Sequence, residues 1–389
     1  MVLSLVLFLL DHPGRRTYVS PNKLPPPYAG KRFLLAPKVV ARPPGFLPEA
    51  PKGFHVAIWA KGLKSPRWLL VGPNGDVFCT ECYQNRIELL RDEGGVAGKP
   101  ILFAKGLNLP FGMAIHAGYF YIANTDSVVR FRYQPGQEHL ENPKKIIPNI
   151  PSRGYNQHWT RNILFDPSGT KMYLTVGSET NKGIDPLPRA AIYRYNPDGS
   201  DPELIATGMR NPVGLAWQPG TNQLWCTCVE RDYMGDDLVP DYFTRVKPGQ
   251  FYGWPWYYIG KHRDPKVPLK GAPKKPITIP DDLFIAHSTP LGVLFYTGKM
   301  FPAEYRNDAF IAMRGATNRR HRSGYKVVRV RFDHGKLIPG YEDFLTGWLP
   351  NPLEKEVYGR PVGIAQLPDG SLLVSDEGGG CIWRVTYRP

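Results

Sequence analysis

The sequence predicts an all-β protein: a six-bladed β-propeller with four-stranded antiparallel blades, preceded by an extended Pro-rich N-terminal arm. Three observations carry this prediction: a phrase written six times, a composition suited to short strands and turns, and almost no sustained helical periodicity. The phrase is a Pro or polar opening, an apolar run, a Gly or Asn turn, and a second strand. It reads SPRWLLVGPNGDVFCTE at 65–81, LPFGMAIHAGYFYIANT at 109–125 and TRNILFDPSGTKMYLTVGS at 160–178. It returns as RNPVGLAWQPGTNQLWCTCVE at 210–230, as TPLGVLFYTGKMFPAEYRNDAFIAMRG at 289–315, and as RPVGIAQLPDGSLLVSDEGG at 360–379. The turn glycines Gly75, Gly118, Gly169 and Gly220 recur every roughly 40–50 residues, the length of one four-stranded blade.

Composition agrees. A chain of 389 residues can bury a large core, and 42% hydrophobic content is that of a globular protein rather than a disordered one. Proline (41) and glycine (40) are both abundant without a G-X-Y period, and 21 Tyr with 18 Phe favour many short strands joined by turns.

In chain order, the first ten residues, MVLSLVLFLL, are too short to span a bilayer and match the apolar core of a signal peptide. No basic residue precedes them and no small-x-small site follows; the reading is a signal remnant and a periplasmic or secreted protein, with no other membrane segment. With the Pro-rich stretch they form an arm over 1–47, and the propeller runs from 48 to 389 with an insertion at about 231–285. Cys79, Cys82, Cys226, Cys228 and Cys381 are odd in number and complete no metal or haem motif, so they are expected as packing residues. The net charge of +15 comes from scattered basic residues without a nucleic-acid-binding motif. It points to a general cationic surface, or to a site for an anionic ligand, rather than to nucleic acid.

Propeller geometry then selects candidate functional residues. The first strand of each blade lines the central channel, so the six openings form a ring around its mouth. That ring contains Arg67, Phe111, His158 with Arg161, Arg210 with Asn211, Thr289, and Arg360. Gly112, Gly214, Gly292 and Gly363 lie just inside, where strands crowd the axis. Four arginines around one concavity repel one another unless an anion, or local Asp and Glu, neutralises them, and guanidinium suits carboxylate or phosphate. His158 beside them is a candidate general base, kept neutral by its cationic surroundings. The acidic stretch VERDYMGDDLVPDYF (229–243) offers oxygen ligands for a hard cation such as Ca²⁺, or is a solvated loop.

The ordered segments HWTRN (158–162), RNPVGLAW (210–217), ERDYMGDDLVPDYF (230–243), FYGWPW (251–256), PLGVLFYTG (290–298), SGYKVVRV (323–330) and GRPVG (359–363) resemble the pyrroloquinoline quinone (PQQ)-dependent sugar dehydrogenases, in particular their sorbosone dehydrogenase-like branch. The resemblance runs from about Leu24 to the C-terminus. It implies a six-bladed propeller holding PQQ, an ortho-quinone with three carboxylates, and oxidising an aldose or sugar aldehyde by hydride transfer. It makes His158 the base and places Arg210 and Asn211 at the reacting edge. It puts Arg161, Arg314 and Arg360 at the PQQ carboxylates, and Ca²⁺ near Asp232 and Tyr233, largely on backbone carbonyls. Where related sequences read HGSWNR, this chain has Arg314-Gly315-Ala316-Thr317-Asn318-Arg319, which removes a stacking tryptophan and adds a charge. No CxxCH occurs, so electrons are expected to pass to a separate acceptor, a cytochrome or a quinone. Two other readings share the scaffold: a calcium-dependent propeller lactonase, disfavoured by the cationic ring, and a non-catalytic propeller that only binds a partner.

Overall fold

The computed structural model describes residues 11–29, 33–152 and 158–389; the apolar stretch 1–10, read above as a signal remnant, lies outside them. The chain is built from β-strands, with two single 3₁₀ turns and no α-helix among the described residues. Each of the six phrases supplies the first two strands of a sheet. Blade 1 comprises Pro66–Val71, Val77–Glu81, Arg86–Leu90 and Ile101–Ala104, and blade 2 comprises Met113–His116, Tyr119–Ala123, Val128–Arg132 and Lys144–Ile147. Blade 3 holds Ile163–Phe165, Met172–Val176, Ala191–Tyr195 and Glu203–Thr207; blade 4 holds Asn211–Trp217, Leu224–Val229, Tyr242–Val246 and Asp282–Leu283. Blade 5 runs through Pro290–Phe295, Ala309–Met313, Lys326–Asp333 and Lys336–Leu345. Blade 6 takes Pro361–Gln366, Leu372–Asp376 and Cys381–Tyr387 from the end of the chain, and its outer strand, Phe54–Lys61, from near the beginning.

The expected insertion at about 231–285 is narrower in the structure. Tyr242–Val246 and Asp282–Leu283 are the two outer strands of blade 4, so only the chain between them leaves the blade. One of its short strands, Gln250–Phe251, adds in parallel to the edge of blade 3. Arg16–Thr17 likewise extends blade 5, and Lys38–Val39 pairs with Glu356–Val357.

The core is divided among the seams between blades, because each sheet buries both faces against its neighbours. Phe78, Phe103 and Phe120 fill the seam of blades 1 and 2; Trp225, Phe243 and Phe295 fill that of blades 4 and 5. Cys82, Phe111, Val213, Leu291 and Val362 close the axis itself. All five cysteines are unpaired and buried, as packing residues should be.

Innermost strands approach one another closely. A Cβ on Gly214 would collide with the carbonyl oxygen of Leu291, one on Gly292 with that of Val362, and one on Gly363 with that of Arg67. Gly112 meets the backbone of Asn162 in the same way, so these glycines are there for clearance. The ladder is broken beside them, between Pro66 and Leu69, Pro212 and Leu215, Pro290 and Val293, and Pro361 and Ile364. Hydroxyls on the second strands satisfy the freed amides: Trp68 N–H donates to Thr80 Oγ1 (2.9 Å), Gly214 to Thr227 Oγ1 (2.8 Å) and Gly363 to Ser375 Oγ (2.8 Å).

Candidate active site at the mouth of the channel

In an antiparallel pair, the residue before the first strand lies beside the residue after the second. The mouth is therefore lined by both sets. Within blades 6 and 5, Arg360 O accepts from Glu377 N–H (3.0 Å) and Thr289 O from Arg314 N–H (3.0 Å). Between blades, Arg210 O, at the opening of blade 4, accepts from Ser178 N–H (2.7 Å), just past the second strand of blade 3. Between them lies a cavity of about 460 Å³ lined by, among others, Arg67, His158, Trp159, Arg210, Asn211, Asp232, Tyr233, Thr289, Arg314 and Arg360. That volume is within the range of small-molecule sites.

His158 reaches the cavity from a left-handed backbone turn, φ +32°, the kind of local strain a fixed site retains. Its Nδ1 lies 2.9 Å from Ser178 O and 2.9 Å from Ser178 Oγ. The Ser178 hydroxyl spends its own proton on Thr180 O (2.7 Å), so both partners of Nδ1 are acceptors. The proton is thereby assigned to Nδ1, and Nε2 is left with its lone pair. Burial first, and then the charge of Arg210, hold the imidazole well below its ordinary pKa. It is neutral at neutral pH and able to accept a proton.

The arginines divide into three roles. Arg67 is buried, packed against the rings of Phe111 (5.5 Å) and Trp159 (4.9 Å), and pairs with Glu377 at 2.6 Å. Glu377 also receives Arg314. Burial alone would raise the Glu377 carboxyl, but Arg67 and then Arg314 outweigh it and hold the group well below the usual range. Arg360 donates only to backbone, the carbonyls of Arg314 (3.2 Å) and Gly315 (3.1 Å). Burial, then Arg314, lower its pKa to about 10, so it remains charged.

Arg161 corrects the sequence reading. It does not line the cavity. Its guanidinium is fully buried and donates to the carbonyls of His158, Thr160 (2.9 Å) and Pro151 (2.8 Å). Burial, then Arg189, lower it to about 9. It staples the turn that carries His158 rather than facing a ligand. Phe111, another member of the expected ring, lies beneath the floor.

Arg210 is held on four sides: by Glu230 O (2.6 Å), Asn181 O (3.3 Å), Asn181 Oδ1 (2.9 Å) and Asp232 Oδ2 (3.0 Å). The other oxygen of Asp232 faces His287 Nδ1 at 3.3 Å, and His287 Nε2 lies 3.1 Å from Gly235 O. Burial would raise Asp232, but Arg210 and then His287 drive its carboxyl well below the usual range. Burial pulls His287 down, yet Asp232 prevails and raises it.

The family model for glucose/sorbosone dehydrogenases matches residues 115–339. The chain belongs to this family. An uncharacterized protein of Borreliella burgdorferi is 30% identical over 352 residues, 87% of this chain and 91% of that one. Among solved structures, the calcium structure of the Trichoderma reesei family AA12 carbohydrate-active enzyme superposes with a TM-score of 0.75 at 19% identity, over 88% of this chain and 97% of that chain. The holo form of the pyranose dehydrogenase PQQ domain from Coprinopsis cinerea gives 0.71 at 20% identity, over 91% and 100%.

In this glucose/sorbosone dehydrogenase family member, a PQQ-like anion fits the residues present. Four arginines line the cavity, answered by only Glu377 and Asp232, and Arg360 has no carboxylate partner among the described residues. Asn211 and Arg67 line the same cavity, and Asn211 Oδ1 and Arg67 Nε are buried without a hydrogen bond. Both carboxylate oxygens of Asp232 are engaged, by Arg210 and by His287, and among the described residues no group of three His, Cys, Asp or Glu side chains could hold a metal ion, so a Ca²⁺ beside Asp232 and Tyr233 would rest on backbone carbonyls. Tyr233 lines the cavity with φ +71°.

Sequence reasoning found first-strand openings and, Arg314 apart, missed second-strand exits. Ser178, Glu377 and His287 carry no motif of their own. The signal for the first two was their position: TVGS and SDEGG end the second strands of repeats whose openings had already been chosen.

Proposed function

We propose that the protein is a PQQ-dependent oxidoreductase acting on a sugar, an aldose or a sugar aldehyde such as sorbosone, with His158 as general base. The observation that carries the reading is the Ser178 clamp, which fixes the proton on Nδ1 and leaves Nε2 basic at a cationic cavity. Arg360 and Arg314 would hold the cofactor's carboxylates, and Asn211 its polar edge. When bound, PQQ supplies the two-electron oxidant. His158 takes the substrate hydroxyl proton at Nε2, and the imidazolium so formed is stabilised by the two oxygens of Ser178. Arg210, immobilised by Asp232 and Asn181, presents a fixed positive charge to the developing negative oxygen. Arg161 keeps the His158 turn in place. Asp232 serves as counter-ion to Arg210, and a Ca²⁺ near Asp232 and Tyr233 would be held largely by backbone carbonyls. Membership of the glucose/sorbosone dehydrogenase family and the fold shared with a PQQ domain support this reading. The absence of CxxCH in the sequence supports electron exit to a separate cytochrome or quinone, and the reading places the protein in the periplasm or outside the cell.

The test titrates the purified protein with PQQ, following tryptophan fluorescence, since Trp159 lines the cavity. Dye-coupled oxidation of aldoses and sugar aldehydes is measured alongside. His158→Ala should keep PQQ binding and lower turnover by roughly 10²–10⁴. Undiminished turnover in that variant would remove His158 from the role.

A further inference from the structure

One wall of the cavity comes from outside the propeller. Leu34 and Ala36, in the arm, line the same space as His158 and Arg360. The arm is fixed on both sides of them. Leu35 N–H donates to Thr317 O (2.7 Å), Leu35 O accepts from Arg322 Nη2 (2.5 Å), and the next strand, Lys38–Val39, pairs with Glu356–Val357. Upstream, Tyr28 N–H donates to Met234 O (2.8 Å) and Tyr28 Oη to Asp264 Oδ1 (2.8 Å).

Leu34 is 70% exposed, more than any other exposed large hydrophobic side chain among the described residues. An anchored backbone thus presents an apolar side chain at the rim of an otherwise polar mouth, where a ligand in the cavity could cover it.

We propose that Leu34, held by the Leu35–Thr317 and Leu35–Arg322 hydrogen bonds, is the residue that contacts the substrate's apolar face and sets which sugars are accepted. This rests on the sugar-oxidising function proposed above. The charged groups that suit the cofactor, Arg360 and Arg314, belong to the blades, whereas Leu34 stands at the exposed rim, where a second and smaller ligand would lie.

The five native cysteines are buried, so Leu34→Cys would carry the accessible thiol among the described residues. Its rate of maleimide labelling is measured in the free protein, with PQQ, and with PQQ plus an aldose that the wild type oxidises. Labelling should slow severalfold only when the sugar is added. In parallel, Leu34→Ala and Leu34→Trp are assayed across a pentose, a hexose and a disaccharide. Leu34→Ala should raise KM for the preferred sugar roughly tenfold, and Leu34→Trp should reorder the series, with PQQ affinity unchanged in both. Unchanged labelling and ranking, in a protein that binds PQQ and turns over, overturns the assignment of Leu34 alone. A wild type that neither binds PQQ nor oxidises any sugar defeats the functional reading and this assignment with it.

Discussion

His158 is basic because of what touches its other nitrogen. Because burial and Arg210 lower its pKa, the acid limb of kcat/KM should fall below pH ~6.5, the ordinary imidazole value. A pH–rate profile with its limb at or above that value would contradict the neutral, desolvated base. Asp232 offers a second check. If it serves as counter-ion to Arg210 and His287, Asp232→Asn should lower turnover while leaving any Ca²⁺ requirement for PQQ binding unchanged; a metal ligand would shift that requirement instead. His287 has its own pH signature. Its folded pKa lies above the unfolded value of ~6.5, so its stabilisation is complete below that pH and fades as pH rises through the raised value. Denaturant midpoints measured from pH 6 upward should decline, and His287→Asn should flatten that part of the curve. The sequence made His158, Arg210, Asn211 and Arg360 legible because repeats align them at strand openings, and Arg314 legible through the family resemblance. It made Arg161 legible as a charge but not as a direction, since an arginine's fork reaches its own turn as readily as a cavity.

At the scale of the strand, the Pro-x-Gly opening explains how three of the six sheets, blades 4, 5 and 6, approach the axis. Proline removes a donor, glycine removes a side chain, and the bulge between them turns the backbone toward the next blade. The hydroxyl on the neighbouring strand then satisfies the stranded amide and, for Thr227, also donates to Leu291 O (2.8 Å) in the next blade. Thr227→Val keeps the volume and removes both bonds. Leaving the buried Gly214 amide and Leu291 carbonyl unpaired should cost about 1–3 kcal/mol per group, measurable by urea unfolding. A neutral result would make the hydroxyl a passenger. Pro212-Val213-Gly214, Pro290-Leu291-Gly292 and Pro361-Val362-Gly363 were readable as a repeated phrase. Their hydroxyl partners were not, because a lone Thr or Ser in a second strand looks like any other small residue.

For the whole molecule, blade count and closeness at the axis were legible from spacing, whereas the closure of the ring was not. The strand Phe54–Lys61 carries no copy of the phrase, and only pairing with Cys381–Tyr387 reveals that it completes blade 6. Phe54 shows what the closure is worth. Its ring packs edge-on against Phe301 (4.8 Å), Tyr305 (5.0 Å), Phe344 (5.0 Å) and Tyr387 (5.0 Å), joining blade 6 to blade 5. Phe54→Ala should cost about 3–5 kcal/mol by denaturant titration, the range for a large buried aromatic. A loss near zero would mean that the seam is held elsewhere. The same closure has a consequence in time. On the ribosome, the strand that seals the ring is among the first segments made, and its partner is among the last. It must wait, unpaired and partly apolar, while five blades fold past it. The wall bearing Leu34 lies upstream of that strand and is held by Thr317, Arg322 and Glu356–Val357, so it too is finished only once late-made segments have emerged. An incompletely synthesised chain would carry His158 and its arginines but no finished pocket, and so could not begin oxidising sugars before its fold was complete.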